Sequence, residues 1–171
     1  TTVWVLPEKD FEKQLNKNVI DRYSNRKNYS TITFVSHSKN EMKFTERNIQ
    51  EDNDLLFIKS PFLSNNPSYS DIEQYLEEIK EIVNRELPKI NRGGFLVIQT
   101  QDVRINGYIE PLAKRLVEML TLDNLWLKEI VIVTQKESNT KIRTPEKSLK
   151  IVHQYLLIYE VKNEKTKIIK F

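Results

Sequence analysis

The sequence predicts an α/β protein whose sheet is mostly parallel and ends in an antiparallel β-hairpin. Two short runs, 54–58 and 95–99, are almost continuously apolar, which is typical of strands covered on both faces in a parallel sheet. A stretch with helical periodicity separates them, so strand, helix and strand follow one another as in a βαβ unit. Two more strands, 126–134 and 151–161, follow without a helix between them, and we expect them to pair antiparallel.

The first fifty residues have weaker patterns. Residues 1–8 are expected to be extended, and apolar residues one helical turn apart predict a helix over 10–23. The β-branched and aromatic residues of 30–35 predict a strand. A short strand over 41–45 is the only further element we expect before the first buried strand.

The helix between the two buried strands is expected to begin at Ser70, because Ser70 and Glu73 have the spacing of a capping box. Its predicted buried stripe consists of Ile72, Tyr75, Leu76, Ile79, Ile82, Val83 and Leu87. Gly93 and Gly94 are expected to turn the chain into the second buried strand. Pro111 then marks the start of a third helix.

Length and composition favour one folded domain over residues 1–171. With 39% hydrophobic and 30% charged residues, the chain is not expected to be disordered. No apolar run approaches the roughly 18 residues that a membrane span needs, so we expect no membrane association and a location in the cytoplasm, or the nucleus of a eukaryote. Without Cys, and with its two His far apart, the chain is expected to hold no metal.

The first buried strand and the residues that follow it resemble a sequence motif of a known enzyme family. Residues 54–62, Asp-Leu-Leu-Phe-Ile-Lys-Ser-Pro-Phe, resemble the motif of DNA amino-methyltransferases, in which Asp, Asn or Ser, then Pro-Pro, then Tyr or Phe follow an apolar strand. Further segments resemble the same family in the same order: Tyr75-Leu76, Gly93-Gly94, Asp102-Val103-Arg104, 109–112, 127–132 and 153–157. The resemblance covers residues 1–8 and 46–162.

The resemblance implies a Rossmann-like methyltransferase fold and methylation of adenine N6 or cytosine N4. The target base would leave the helical stack, and Ser60, Pro61 and Phe62 would line its pocket. If Phe62 is the stacking aromatic residue, the acceptor position falls on Lys59, which can only donate hydrogen bonds. A shift by one residue makes Ser60 the acceptor but leaves a single Pro before Phe62. Alternatively, Pro61 and Phe62 are ordinary loop residues.

The cofactor implied by the resemblance is S-adenosylmethionine, and Thr2, Val3 and Trp4 resemble the segment that precedes the family's cofactor motif. The family holds this cofactor on a Gly-rich turn after its first strand, where the backbone approaches the ligand closely. This chain has only three Gly, none of them after the strand predicted over 30–35. The fold is therefore expected to be reduced in its cofactor-binding half.

The formal net charge of +3 is compatible with nucleic-acid binding without requiring it. Candidate phosphate contacts are Lys59, Arg104, Lys141 and Arg143, although the charged segment that contains the last two also fits a solvated loop. The expected partner is DNA, with RNA as the weaker alternative, together with a partner methyltransferase subunit or a second copy of the chain. Two functions stay open: a DNA methyltransferase, and an inactive methyltransferase-like scaffold.

Overall fold

The computed structural model describes residues 2–24, 28–38, 41–47, 52–60, 67–136, 151 and 153–162, with side chains described for all of these except 34–38 and 41–47. In chain order the elements are β1 (Thr2–Pro7), α1 (Phe11–Tyr23), β2 (Tyr29–Ser38), β3 (Glu41–Arg47), β4 (Asn53–Lys59), α2 (Tyr69–Glu86) with a 3-10 turn (Leu87–Lys89), β5 (Ile90–Thr100), β6 (Val103–Ile105), β7 (Tyr108–Glu110), α3 (Leu112–Met119), β8 (Leu125–Lys136) and β9 (His153–Val161). No helix in this part of the chain is long and apolar enough to span a membrane.

Seven of these strands form one sheet in the order β1-β8-β9-β5-β4-β2-β3. The pairs β2–β4, β4–β5 and β1–β8 are parallel, whereas β3 and β9 run antiparallel to their neighbours. The predicted α/β class, the parallel pairing of the two buried strands and the closing antiparallel pair β8–β9 are therefore confirmed. Most strands extend one to five residues beyond their predicted ends.

Helices cover both faces of the sheet. Helix α1 packs on one face through Phe11, Leu15 and Val19, against side chains of β4, β5, β8 and β9. Helices α2 and α3 pack on the other face, where the whole apolar stripe predicted for α2 is buried. Because successive side chains of a strand point to opposite faces, a strand covered on both sides is apolar throughout, as β4 is from Leu55 to Ile58.

The start of α2 differs from the prediction. Ser68, rather than Ser70, is the N-cap: its hydroxyl accepts from Asp71 N at 3.2 Å, and the Asp71 carboxylate accepts from Ser68 N at 2.7 Å. Two overlapping Ser-x-x-acid patterns occur here, and the first one caps the helix. The predicted Ser70–Glu73 box is wrong, and Glu73 instead pairs with Arg115 of α3 at 2.7 Å.

The small hairpin β6–β7 lies outside the main sheet and was not expected from the sequence. Its two turn residues, Asn106 and Gly107, both have positive φ, at 51° and 84°. Two consecutive positive φ angles are the geometry of a type I′ turn, for which Asn-Gly is the preferred pair. The hairpin is anchored by Val103 and Ile105, which are buried against the α2–α3 side of the sheet.

Gly94 lies inside β5 rather than before it, where β5 bulges against β4 between its pairings Asn53–Ile90 and Leu55–Phe95. A Cβ at this position would come within 2.8 Å of Asn91 O and Asp54 O. Backbone oxygens cannot move aside as a flexible side chain can, so the site accepts only Gly.

Gly94→Ala is accordingly expected to lower the free energy of unfolding by about 1–3 kcal/mol, the usual cost of overpacking. Urea denaturation followed by circular dichroism measures the change. Asn84→Ala, at an exposed position of α2, is the matched control and is expected to stay within about 0.5 kcal/mol of the parent. Equal stability of the two variants would contradict the close approach of β4 and β5 at Gly94.

Candidate functional site

The strands β1, β2, β4, β5 and β8 point in one direction, so their carboxyl ends share an edge of the sheet. Near the middle of this edge Lys59 and Gln99 are paired, and Thr100 is paired with Tyr155 at the amino end of β9. We call this edge the carboxyl rim. Open α/β sheets bind their ligands at such an edge.

The pleat of β4 sends Lys59, its last residue, and Ser60, the residue that follows, to opposite faces of the sheet. Leu55 and Phe57 contact the α1 side, and Lys59 continues that series. Leu56 and Ile58 contact the α2 side, and Ser60 follows them there. The two candidate acceptor positions of the motif therefore belong to two separate clusters of polar side chains.

On the α2 side, Ser60, Tyr75 and Thr100 form a closed set that we call the hydroxyl cluster. Ser60 Oγ donates to Gln99 O at 2.7 Å and lies 3.1 Å from Tyr75 Oη. Tyr75 Oη donates to Ser60 O at 3.0 Å and lies 3.0 Å from Thr100 Oγ1. Because Tyr75 has a single hydroxyl proton, which goes to Ser60 O, Thr100 Oγ1 donates to Tyr75 Oη, and the approach of Ser60 Oγ to Tyr75 Oη has no proton of its own.

The hydroxyl cluster is closed to solvent, since Ser60 and Thr100 are 0% exposed and Tyr75 is 1% exposed. Burial raises the pKa of Tyr75 above its ordinary value, against the opposing effect of its hydrogen bonds to Ser60 and Thr100. The phenol therefore stays neutral and acts as a hydrogen-bonding bridge between the ends of β4 and β5.

On the α1 side, Lys59 is part of a second cluster with Glu12, Gln99 and Gln154. Lys59 Nζ lies 3.0 Å from Glu12 Oε2, and only 12% of the Lys59 side chain is exposed. Gln99 Nε2 donates to Gln154 Oε1 at 2.6 Å and to Glu12 Oε1 at 3.4 Å. Gln99 Oε1 is buried without a hydrogen-bond partner among the described residues. The Lys59 charge is thus neutralised at the rim rather than presented to solvent.

A third cluster lies where β9 enters the rim. Asp102 Oδ1 accepts from Ala113 N at 3.1 Å, near the start of α3, and its carboxylate lies close enough to Tyr155 to affect the pKa of that phenol. Tyr155 Oη lies 2.8 Å from His153 Nε2. Burial, and then the charge of Asp102, raise the pKa of Tyr155. Asp102 thus fixes the position of α3 relative to β9.

The other predicted site residues lie apart from these clusters. Arg104 is in β6, partly exposed, and its Nη1 donates to Gly107 O at 3.0 Å. Thr2, Val3 and Trp4 lie in β1, separated from β4 by β8, β9 and β5. Four strand spacings amount to about 19 Å, so the structure does not bring this segment to Ser60.

The β1 segment has its own contacts. Thr2 Oγ1 donates to Glu129 Oε1 at 2.8 Å, Val3 is 56% exposed, and the Arg22 guanidinium lies 6.0 Å from the centre of the Trp4 ring. Four other predicted site residues, Pro61, Phe62, Lys141 and Arg143, lie outside the described residues.

The fit of S-adenosylmethionine can be tested on β2, the strand after which the family's cofactor turn would be expected. Strand β2 is followed by β3, which pairs antiparallel with it from Thr31–Arg47 to Ser38–Glu41. A hairpin of this kind offers no helix N-terminus to a ligand. The chain's three Gly lie instead in β5 and at the tip of the β6–β7 hairpin. The described residues do not fit the expected cofactor site.

The chain resembles known proteins in structure rather than in sequence. No protein-family model matches the chain, and no curated protein matches it in sequence. A solved structure from Thermus thermophilus, of a candidate DNA modification methylase, is similar at 17% identity and a TM-score of 0.43. The match covers 67% of this chain and 48% of that one, so the chain spans about half of its length.

Sequence reasoning missed most members of the three clusters. The sequence predicts Tyr75 as part of the apolar stripe of α2, and the structure shows in addition that its hydroxyl is the centre of the hydroxyl cluster. A Tyr within a buried stripe is a usable signal, because a buried phenol normally finds a hydrogen-bond partner. Glu12 and Gln154 gave no such signal, since they reach Lys59 and Gln99 only through tertiary packing.

Tyr75→Phe is expected to lower the free energy of unfolding by about 1–3 kcal/mol. The substitution removes the hydrogen bond that the phenol donates to the Ser60 carbonyl, which stays buried. Urea denaturation measures the loss. The control, Tyr69→Phe, removes a hydroxyl from a residue that is 60% exposed and is expected to change little. If both variants are as stable as the parent, the hydroxyl cluster does not hold the rim together.

A dependence on alkaline pH follows from the raised pKa of Tyr75. The unfolded protein releases the phenol proton near the ordinary Tyr value of 10.0, whereas the folded protein retains it to higher pH. The stabilisation from Tyr75 is therefore complete below about pH 10 and is lost as the pH rises further. In urea denaturation at about pH 8 and about pH 11, the parent should lose more stability than Tyr75→Phe. Equal losses would refute this assignment.

Proposed function

We propose that this chain is a methyltransferase-like domain that binds DNA at its carboxyl rim and does not transfer a methyl group by itself. The observation that carries the proposal is the antiparallel pairing of β2 with β3, where a cofactor-binding turn and helix would be required. Without such a turn, the backbone amides that approach a bound cofactor closely are missing from the described part of the chain.

The burial and the hydrogen bonds of Ser60 support the same proposal. A residue that assists amine methylation has to accept a hydrogen bond from the exocyclic amine of the base. Ser60 is 0% exposed, its hydroxyl proton is donated to Gln99 O, and its carbonyl accepts from Tyr75. An incoming base would have to break the hydroxyl cluster before it could contact either acceptor. We therefore assign Ser60 a role in holding the rim.

DNA binding is supported by the side of the rim that faces solvent. Arg104 is partly exposed on the β6–β7 hairpin, and the chain has a net charge of +3. Lys59 is not expected to contribute, because Glu12 already neutralises it. The binding should be electrostatic in large part and therefore sensitive to salt.

An active DNA methyltransferase is the second candidate. It is favoured by the position of Ser60 and Lys59, which directly follow a buried parallel strand at the rim, as the resembling motif requires. This candidate requires a cofactor-binding element that the described residues do not supply, and a partner methyltransferase subunit or a second copy of the chain would have to provide it.

Calorimetry and DNA binding separate the two candidates. In titrations with S-adenosylmethionine up to about millimolar, we expect no heat of binding. In filter binding with a DNA duplex we expect an affinity that falls linearly on a log–log plot against salt. Arg104→Ala should make that slope shallower by about one unit, whereas Arg92→Ala, an exposed residue near the opposite edge of the sheet, should not.

Heat of binding at micromolar S-adenosylmethionine would contradict the proposed inactive domain and support the second candidate, the active methyltransferase. If the filter retains no DNA, or retains it independently of salt, the proposed DNA binding is contradicted. Equal slopes for Arg104→Ala and Arg92→Ala would keep DNA binding but move it away from the β6–β7 hairpin.

A further inference from the structure

Strand β1 is one of the two edges of the seven-stranded sheet. It pairs in parallel with β8 along its whole length, from Thr2–Val131 to Pro7–Lys136, and no other described strand lies beside it. Within the described part of the chain, the backbone N–H and C=O groups on its outer side therefore have no strand to pair with. Such a row of groups is a template for a further strand.

The two edges of the sheet differ in charge. The opposite edge, β3, has seven residues, of which four are charged: Glu41, Lys43, Glu46 and Arg47. Strand β1 has six residues, Thr-Val-Trp-Val-Leu-Pro, and none of them is charged. Charged residues on an edge strand discourage pairing with a further strand. The sheet has this protection at β3 and lacks it at β1.

Two valines leave apolar surface at the β1 edge. Val3 is 56% exposed and Val5 is 60% exposed. Trp4 and Leu6 pack on the α1 side, so the alternation of the strand places both valines on the opposite face. On that face Val3 is paired with Ile132 of β8, which is partly buried. The apolar surface therefore continues from β8 to the edge of the sheet.

Strand β1 is complementary to itself. A two-fold axis perpendicular to the sheet would bring the β1 strands of two copies together antiparallel, in an interface that uses the same residues twice. Directly opposite residues point to the same face, so odd positions have to pair with odd ones. Among these registers, the one centred on Trp4 pairs Val3 of each copy with Val5 of the other. It also leaves Pro7, which has no N–H, just outside the paired stretch.

The charges that lie beside β1 also permit a second copy. The Arg22 guanidinium lies 6.0 Å from the centre of the Trp4 ring, and Glu129 Oε1 accepts from Thr2 Oγ1 at 2.8 Å. Both charged groups lie on the α1 side and not on the face that carries the two valines. They have opposite signs, so two copies would bring equal numbers of positive and negative groups to this side of the interface.

We propose that two copies of this chain associate through β1, which pairs antiparallel with β1 of the second copy in the register centred on Trp4. The two sheets then form one continuous sheet. The two-fold axis closes the assembly at two copies, because each copy contributes its β1 edge and leaves the charged β3 edge outside. Association does not depend on the proposed DNA binding, since β8, β9 and β5 separate β1 from β4.

Sedimentation equilibrium of the full chain, from about 1 to about 100 μM, tests the association. The parent should approach twice the mass of one chain. Val3→Lys and Val5→Lys should each raise the dimer Kd by at least about 10-fold, because a charge would face an apolar residue of the other copy. Ile109→Lys is the matched control: it replaces a residue that is 53% exposed on the β6–β7 hairpin and should leave the Kd unchanged. Circular dichroism confirms that each variant is folded.

The register can be tested with single Cys substitutions, because the chain contains no Cys. On oxidation, an equal mixture of Val3→Cys and Val5→Cys should form a linked dimer, since opposite Cβ atoms lie about 4.5–5.5 Å apart. Either variant alone should not, because the two substituted positions are then diagonal neighbours at roughly 7–8 Å.

Four results would overturn the proposal or a part of it. A parent that stays monomeric over the whole range would overturn the association and leave β1 to an extended segment of another protein. A mass that grows beyond two chains would overturn the closed two-fold assembly. A dimer that both Lys variants form as tightly as the parent would overturn the role of β1. Linkage of either Cys variant with itself, but not in the mixture, would overturn the register.

Discussion

The carbonyl oxygen of Gln99 is the contact on which the carboxyl rim depends. It accepts from Ser60 N at 3.1 Å and from Ser60 Oγ at 2.7 Å, just past the last residue of β4. This double contact holds Ser60 against the end of β5 and sets where the chain leaves the sheet. Tyr75 then ties the same point to α2 through the Ser60 carbonyl. These bonds fix the position of Ser60 between β5 and α2.

The rim consists of a closed part and an open part. In the closed part, the hydroxyl cluster lies on one face of the sheet and the Lys59–Glu12 pair on the other, each bonded within its own cluster. In the open part, the β6–β7 hairpin and the start of α2 expose tyrosine rings on rigid supports. Buried polar groups that are hydrogen-bonded to each other stabilise one structure, whereas exposed rings gain free energy only when a partner covers them. The closed part therefore supports the fold, and the open part is available to a ligand.

On the proposed function, which requires no bound cofactor, these two parts of the rim can coexist. An enzyme that methylates a base needs the acceptor at the end of β4 to be reachable and the cofactor turn after β2 to be open. Here β2 pairs with β3, and Ser60 has no exposed surface. In a domain that transfers no methyl group, as proposed, Ser60 has no substrate to contact, and its buried hydrogen bond to Gln99 stabilises the fold instead.

Several features could be predicted from the sequence because they depend on local periodicity. The continuous apolar run of β4 required cover on both faces, and the helical stripe of α2 required a single buried side. These two patterns gave the parallel pair β4–β5, and the absence of a helix between β8 and β9 gave their antiparallel pairing. The Asn106-Gly107 pair is a turn signal in the sequence, but the strands that flank it have three residues each and are too short to show a period-2 hydrophobic pattern.

Only the tertiary structure decided which side chains meet. The sequence left the acceptor position open between Lys59 and Ser60, and the pleat placed them on opposite faces with different partners. Glu12, Gln154 and Arg115 reach their partners from elements distant in the chain, and no local pattern encodes such a contact. Local periodicity determines which residues are buried, because burial depends on spacing along one element. Packing between elements decides which polar groups satisfy each other.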